Sequence, residues 1–233
     1  PANSREAFQT GGADSFIAPQ LVAAAEAANY PEPGSETPLV FGVDIAHGGG
    51  DKTRFIDRCG RRMGHYLNEV LDENDEMVIA GQLVKHMDAL NPDMVFVDIT
   101  GGYGSGVVDR LKEQHYRNIR GINFGSKARE AETYANKGAE MWTELRDWLK
   151  EGADIVSDPI LVRDLSAPTA KPDSSGRLIL ERKDDIRKRL AFSPDVGDAS
   201  ALTFAERVRP KGPQRPAPQR ANSNYNPLGR WHA

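Results

Sequence analysis

The sequence predicts an α/β domain on a parallel or mixed sheet, and three observations carry that prediction. Two short apolar runs, Leu39-Val-Phe-Gly-Val-Asp44 and Met94-Val-Phe-Val-Asp98, have the length and β-branched content of buried strands. Segments with helical apolar spacing alternate with them. Both runs end on an aspartate that leads into a glycine-rich loop, and after the second a helix follows, the strand, loop and helix order of α/β units. With 233 residues, 39% apolar and 27% charged, the chain suits one domain with a sizeable core and some appendage.

The elements follow in order. Residues 1–36 read as a lead-in: a Gly/Ser-containing stretch, an alanine-rich helix from about Pro19 to Ala28, then the breaker cluster Pro31-Glu-Pro-Gly34. The core begins at the Leu39 strand. Thr53 to Cys59 and Arg62 to Tyr66, split by Gly60-Arg61, form a hairpin of poor alternation. Asn74 is placed to cap a helix whose first turn carries Asp75 and Glu76, whose buried face is Ile79, Leu83, Met87 and Leu90, and which Pro92 stops. The Met94 strand, the Gly101–Gly106 loop and a helix through Val107, Val108 and Leu111 come next. Ile119 to Phe124 is a third core strand, and Asn136 to Lys150 a helix burying Met141, Leu145, Trp148 and Leu149 before Gly152. Pro172-Asp-Ser-Ser-Gly176 turns a polar hairpin. Ser193-Pro194 supplies an N-cap and a first-turn proline for a last helix reaching Val208.

Composition excludes several classes. No apolar run approaches the roughly 18–20 residues of a bilayer span, and no basic-then-apolar leader is present. The single cysteine, Cys59, makes neither an internal disulfide nor a multi-cysteine zinc site, which fits a reducing cytosol. The chain opens on Pro1, so it is expected to be an excised part of a longer protein. The net charge of −4 hides an asymmetry: Arg209, Lys211, Arg215, Arg220 and Arg230 meet no acid in the tail, which leaves −9 on the rest. Five prolines and no apolar run predict that residues 209–233 are disordered. An acidic body binds nucleic acid only through local basic patches or this tail.

The chemistry concentrates in a repeated phrase. Val43-Asp44-Ile45-Ala46 precedes His47-Gly-Gly-Gly50, and Val97-Asp98-Ile99-Thr100 precedes Gly101-Gly-Tyr-Gly104. In parallel strands both aspartates lie at the carboxyl edge of the sheet, where open α/β sheets hold ligands. Singly, each is also read as a strand-end acid binding loop amides. Two carboxylates in a partly buried place repel and lose hydration, so they call for a proton or a cation between them. Asp195 and Asp198, three apart on the last helix, share a face, and Gly197 lets that end approach the sheet. Asp195 alone also reads as a first-turn acid complementing the helix dipole. Asp51 reads as a turn residue that also lies close enough to Asp44 to act as a ligand or its support. Oxygen ligands of this kind suit Mg²⁺ or Mn²⁺, and a pair of such ions serves in-line displacement at phosphodiesters.

Rival motifs fail. Gly48-Gly-Gly-Asp51-Lys52-Thr53 has an aspartate where a phosphate loop needs glycine, and Gly102–Gly106 does not match the dinucleotide fingerprint, so no nucleotide is expected. The five histidines lack paired zinc spacing. Arg182-Lys-Asp-Asp-Ile-Arg-Lys-Arg189 carries a net +3, either a solvated helix face or a phosphate-contacting strip; Arg182, Lys183, Arg187, Lys188 and Arg189, with Lys52, Arg54 and Lys127, are the candidate DNA contacts.

Taken in order, Phe41-Gly-Val-Asp44-Ile-Ala with Gly-Gly-Gly-Asp51-Lys-Thr53, Val95-Phe-Val-Asp98 with Gly101–Gly106, Gly121-Ile-Asn-Phe, and Lys183-Asp-Asp-Ile-Arg through Ser193-Pro-Asp-Val-Gly-Asp-Ala-Ser-Ala-Leu-Thr-Phe-Ala205 resemble the nuclease domain of tailed-phage large terminase subunits, over about Ser15 to Val208. The resemblance implies a ribonuclease H-like fold, a central mixed sheet flanked by helices, in residues 37–208. It implies Asp44, Asp98 and Asp198 as catalytic, metal-binding acids for two Mg²⁺ or Mn²⁺ ions, with Asp195 matching a supporting acid of some relatives. It further implies endonucleolysis of concatemeric double-stranded DNA to 5′-phosphate ends at the start and finish of genome packaging. The expected partners are DNA, an N-terminal ATPase domain joined through the lead-in, the portal protein and the small terminase subunit. The expected location is the host cytoplasm, at the procapsid portal. The basic tail departs from the family pattern. A Holliday-junction resolvase and a non-catalytic DNA-gripping or portal-docking module are the alternatives.

Overall fold

The computed structural model describes residues 15–46 and 52–211. His47 to Asp51, and with them the expected ligand Asp51, lie outside the described residues, as does the tail from residue 212. Among the described residues the chain runs α1 (Pro19–Glu26), β1 (Leu39–Asp44), β2 (Thr53–Cys59), β3 (Arg62–Leu71), α2 (Glu76–Leu90), β4 (Met94–Asp98), α3 (Ser105–Glu113), β5 (Ile119–Ile122), α4 (Lys137–Lys150), β6 (Asp154–Ile155), α5 (Pro159–Leu165), β7 (Ala170–Pro172), β8 (Leu178–Leu180), α6 (Lys183–Leu190) and α7 (Asp195–Leu202). Six strands make one mixed sheet in the order β5-β4-β1-β2-β3-β6, and β7-β8 is a separate hairpin. β1, β4 and β5 are parallel neighbours, whereas β1, β2 and β3 form an antiparallel meander.

Strand alternation sorts the sheet's side chains into two layers. Phe41, Val43, Phe55, Val95 and Val97 face α2 and α3, packing on Ile79, Leu83, Val107 and Leu111. Val40, Ile56, Met63 and Phe96 face the other way, toward α1, α4, α5 and α7. Asp44 and Asp98 continue the second set, so both carboxylates fall on the α7 side. The expected lead-in is part of this layer: Ile17, Val22 and Ala25 are buried among Leu161, Leu165 and Trp148.

Several boundaries differ from the sequence-based ones for physical reasons. Asp75, not Asn74, caps α2, its side chain accepting from the Met77 amide at 2.8 Å. β3 runs to Leu71 because a bulge opposite Ile56 and Arg58 resets the register; the buried Asp57 carboxylate accepts from the Tyr66 and Leu67 amides at 2.9 and 2.8 Å, which explains the poor alternation. β5 stops at Ile122, since the Phe124 amide donates to the Thr100 hydroxyl instead of a strand partner. α7 ends at Leu202 rather than Val208, where its hydrogen bonds shorten to three-residue spacing and Arg58 takes the Thr203 carbonyl at 2.7 Å. Pro194 occupies the cap position itself, and Ser193 makes no cap: its hydroxyl is buried without a partner.

Candidate active site

Three elements deliver the acids. The parallel register pairs Val43 with Val97, so Asp44 and Asp98 end adjacent strands side by side. α7 crosses above them with Asp195 and Asp198 in its first turn. Exposure is only 2% for Asp44, 5% for Asp98, 5% for Asp198 and 9% for Asp195. Such burial of charge is tolerable only with counter-charge and hydrogen bonds.

α7 is pressed close by two glycines. A Cβ on Gly42 of β1 would stand 1.8 Å from the Ala199 carbonyl oxygen, so the helix backbone rests directly on the strand. Gly197, expected to serve that approach, instead faces α4: a Cβ there would lie 2.6 Å from the Trp142 ring. The helix has no side-chain cap of its own. Asp164 of α5 supplies one from outside, its Oδ2 accepting from the Val196 amide at 3.1 Å while Arg163 holds Oδ1 through two donors at 2.9 and 2.7 Å. Arg163 in turn lies over the Phe192 ring at 3.7 Å.

Each acid has a defined environment. Asp98 Oδ1 accepts from the Thr100 amide at 2.8 Å and its hydroxyl at 2.5 Å. Asp198 Oδ1 accepts from the Trp142 indole at 2.8 Å. Lys183, first residue of α6, sends its ammonium among the carboxylates, 2.8 Å from Asp198 Oδ2, 3.2 Å from Asp44 Oδ2 and 3.7 Å from Asp195 Oδ1. Asp44 Oδ1 is buried with no partner among the described residues. Burial, opposed by Lys183 and reinforced by Asp98, Asp198 and Asp195, drives the Asp44 carboxyl well above the ordinary carboxylate range. Burial also raises Asp198, against the pull of Lys183 and Trp142. Burial works against the Lys183 charge, but Asp198, Asp44 and Asp195 overcome it and hold that ammonium well above its ordinary value. The cluster borders a cleft of about 440 Å³ lined by Asp98, Thr100, Phe124, Trp142, Lys183 and Asp198.

The donor set fits a hard divalent cation: carboxylate oxygens only, gathered from three elements, one of them unsatisfied. No three acid, histidine or cysteine side chains among the described residues form a ready cage. The cation that stands among the acids is the Lys183 ammonium.

The expected DNA contacts scatter. Lys52 is exposed and paired with Asp72 at 2.9 Å. Arg54 is buried beside Asp44. Lys127 is exposed at a second cleft, of about 620 Å³, whose lining includes Arg120, Arg129, Lys137 and Arg207. Arg182 lies on the rim of the acid cleft, whereas Lys183 is inside the cluster. Arg187 and Lys188 are exposed on α6, and Arg189 is fixed by Glu181 and the Ala167 carbonyl. Sequence reasoning missed Trp142, Thr100 and Asp164. Trp142 does share the helical spacing of Leu145 and Leu149, which marks it as buried; nothing local marks Asp164.

The strand order, with acids ending two parallel neighbours and a helix bringing two more across them, makes this a ribonuclease H-like domain with its acids at the carboxyl edge of the sheet. Among solved structures, the chain is similar to the nuclease domain of the large terminase subunit gp2 of bacterial virus Sf6, with TM-score 0.67 and 16% identity over 82% of this chain and 98% of that one. A variant of that domain with manganese and beta-thujaplicinol gives a TM-score of 0.70 at the same identity and coverage. The large terminase nuclease from thermophilic phage G20c with bound magnesium gives 0.56 and 12% identity, over 84% of this chain and 98% of that one. No family model matches the chain, and no curated protein matches it.

Proposed function

We propose that the chain is the nuclease domain of a phage DNA-packaging terminase, a metal-dependent endonuclease that cuts concatemeric double-stranded DNA when packaging begins and ends. The observation that carries this reading is the set of four buried carboxylates from β1, β4 and α7, three of them, Asp44, Asp195 and Asp198, held by one ammonium, with Asp44 Oδ1 left unsatisfied among the described residues. Fold likeness to domains solved with manganese and magnesium supports it. Asp44 and Asp98 would share two Mg²⁺ or Mn²⁺ ions, Asp198 would hold one, and Asp195 and Asp51 would support them. When bound, the ions supply an activated water and charge stabilisation for the departing 3′ oxygen.

This chain's own residues prepare that chemistry. Thr100 and Trp142 fix one oxygen each of Asp98 and Asp198, which leaves the second oxygen of each for a cation. Lys183 offsets part of the negative charge of Asp44, Asp195 and Asp198, the charge a bound cation would otherwise meet. Arg182 on the rim, Lys127 and Arg207 beside the second cleft, and Lys52, Arg187 and Lys188 on the surface would meet backbone phosphates. The ATPase domain, portal protein and small terminase subunit are the proposed partners, at the procapsid in the host cytoplasm.

Cleavage of supercoiled plasmid with Mg²⁺, Mn²⁺ or EDTA tests the proposal. The wild type is expected to cut with either metal and not in EDTA, and folded Asp44→Asn and Asp198→Asn variants to lose at least about a hundredfold in rate, since removing a ligand forfeits several kcal/mol of charge stabilisation. Undiminished cutting by both variants would overturn the assigned site, and no cutting by folded wild type would overturn the activity of this chain.

A further inference from the structure

Arg54 is buried beside Asp44, and among the described residues nothing pairs with its Nε or Nη1. It is the direct cross-strand partner of Asp44 in the β1-β2 ladder, and opposed residues in a ladder project to the same face. That face carries α7: Ile56, two residues on, packs with Val196 and Ala199, and Arg58, two further, hydrogen-bonds Thr203. Arg54 is 9% exposed, yet its Nε and Nη1 have no hydrogen-bond partner. Other arginines on the sheet and around α7 are engaged: Arg58 with Thr203, Arg61 with backbone carbonyls, Arg62 with Glu32, Arg163 with Asp164. Asp44 Oδ1 lies orphaned across the ladder, and the two groups still do not pair.

An unsatisfied buried guanidinium costs stability, and groups of this kind persist where a ligand completes them. A phosphodiester brought to four carboxylates carries the wrong charge for its surroundings, so a cation has to meet it there. The guanidinium fork matches two phosphate oxygens, which a lysine ammonium does not. Val70, the partner of Arg54 on β3, is 43% exposed, so solvent reaches the ladder beside Arg54.

We propose that Arg54 binds the non-bridging oxygens of the phosphodiester at the cut, making it a substrate-contacting residue beside the metal acids. The inference rests on the nuclease reading of this site and names the group that grips the scissile phosphate. The test compares wild type, Arg54→Gln and Arg54→Lys in four measurements: single-turnover cleavage of a short duplex with Mn²⁺, affinity for that duplex with Ca²⁺, Mn²⁺ affinity by calorimetry, and the melting temperature. For Arg54→Gln the expected results are a rate lower by about a hundredfold, duplex affinity lower by about tenfold, Mn²⁺ affinity equal or tighter, and a melting temperature equal or higher. Arg54→Lys should recover part of the affinity but little of the rate. Guanidinium ion added to Arg54→Ala should restore cutting where sodium does not. A glutamine variant that cuts and binds like wild type would overturn the proposal, and so would one that loses activity together with its melting temperature. If wild type fails to cut at all, the nuclease reading falls, and the duplex affinities alone decide whether Arg54 holds phosphate.

Discussion

Of the four buried carboxylates, Asp44, Asp195 and Asp198 share the Lys183 ammonium, while Thr100 holds Asp98 and Trp142 also holds Asp198. A fifth buried acid, Asp57, serves the fold instead. Burial, only partly offset by the Leu67 and Tyr66 amides, pushes its carboxyl up to about 6, and its Oδ2 has no partner. Between roughly pH 4 and 6 the unfolded chain has already released this proton while the folded chain retains it. Asp57 therefore contributes a loss of stability that grows as pH rises through that window and is complete above it. Asparagine keeps an oxygen for both amides and carries no charge. Asp57→Asn is expected to gain about 1–3 kcal/mol at pH 8, several degrees in melting temperature, and nothing at pH 4. Thermal melts at both pH values check this, and an equal shift at each would refute it. At this scale the side-by-side placement of Asp44 and Asp98 was legible because strand ends followed by glycine loops announce one sheet edge, and that of Asp198 from its spacing with Asp195 on the last helix. Lys183 was read only as part of a basic strip, since its position depends on a fold-back that no local pattern encodes.

α7 is the element on which the site depends. Its Val196, Ala199, Ala201 and Leu202 are buried in the core, and Gly42 below, Trp142 beside Gly197, and Asp164 at its amino end set how closely it approaches the sheet. Gly42→Ala would thrust a methyl into the Ala199 carbonyl and lift the helix off β1. The expected cost is about 2–3 kcal/mol, as for other overpacked cores, together with at least a tenfold loss of Mn²⁺ affinity as Asp198 withdraws. Urea midpoints and calorimetry measure the two effects, and a variant as stable as wild type with unchanged Mn²⁺ binding would show that the contact is dispensable. β1, β4, α2 and α4 were readable from run length and helical period. α5 and β6 were not, because Pro159–Leu165 and Asp154–Ile155 are too short to show any period, and their place is fixed by tertiary packing.

Over the whole molecule, composition gave residues 1–36 the look of a linker, and packing buries part of residues 15–30 against the domain. Ile17 and Val22 have no exposed surface, the Phe16 amide donates to the Pro168 carbonyl, and the Tyr30 amide donates to Asp154, which also pairs with His65 at 2.8 Å. Removing residues 1–30 withdraws three core side chains. The expected loss is about 4–6 kcal/mol, a large share of the 5–15 kcal/mol typical of a domain. Soluble yield and urea midpoint report it, and a truncated chain that unfolds at the wild-type midpoint would contradict it. The alanine-rich helix itself was legible; its burial was not, because breakers at Pro31–Gly34 look like the end of a linker whichever way the helix packs.

The same packing gives the molecule a mechanical axis. α1 touches α5, α5 touches α7, and Asp164 joins the last two by a hydrogen bond one residue from Asp195. A tug on the chain ahead of Ser15 is met first by the Ser15 bridge to Thr169 and the Phe16 amide on the Pro168 carbonyl, just past the helix that caps α7, so the start of the domain and its acid-bearing helix lean on one segment.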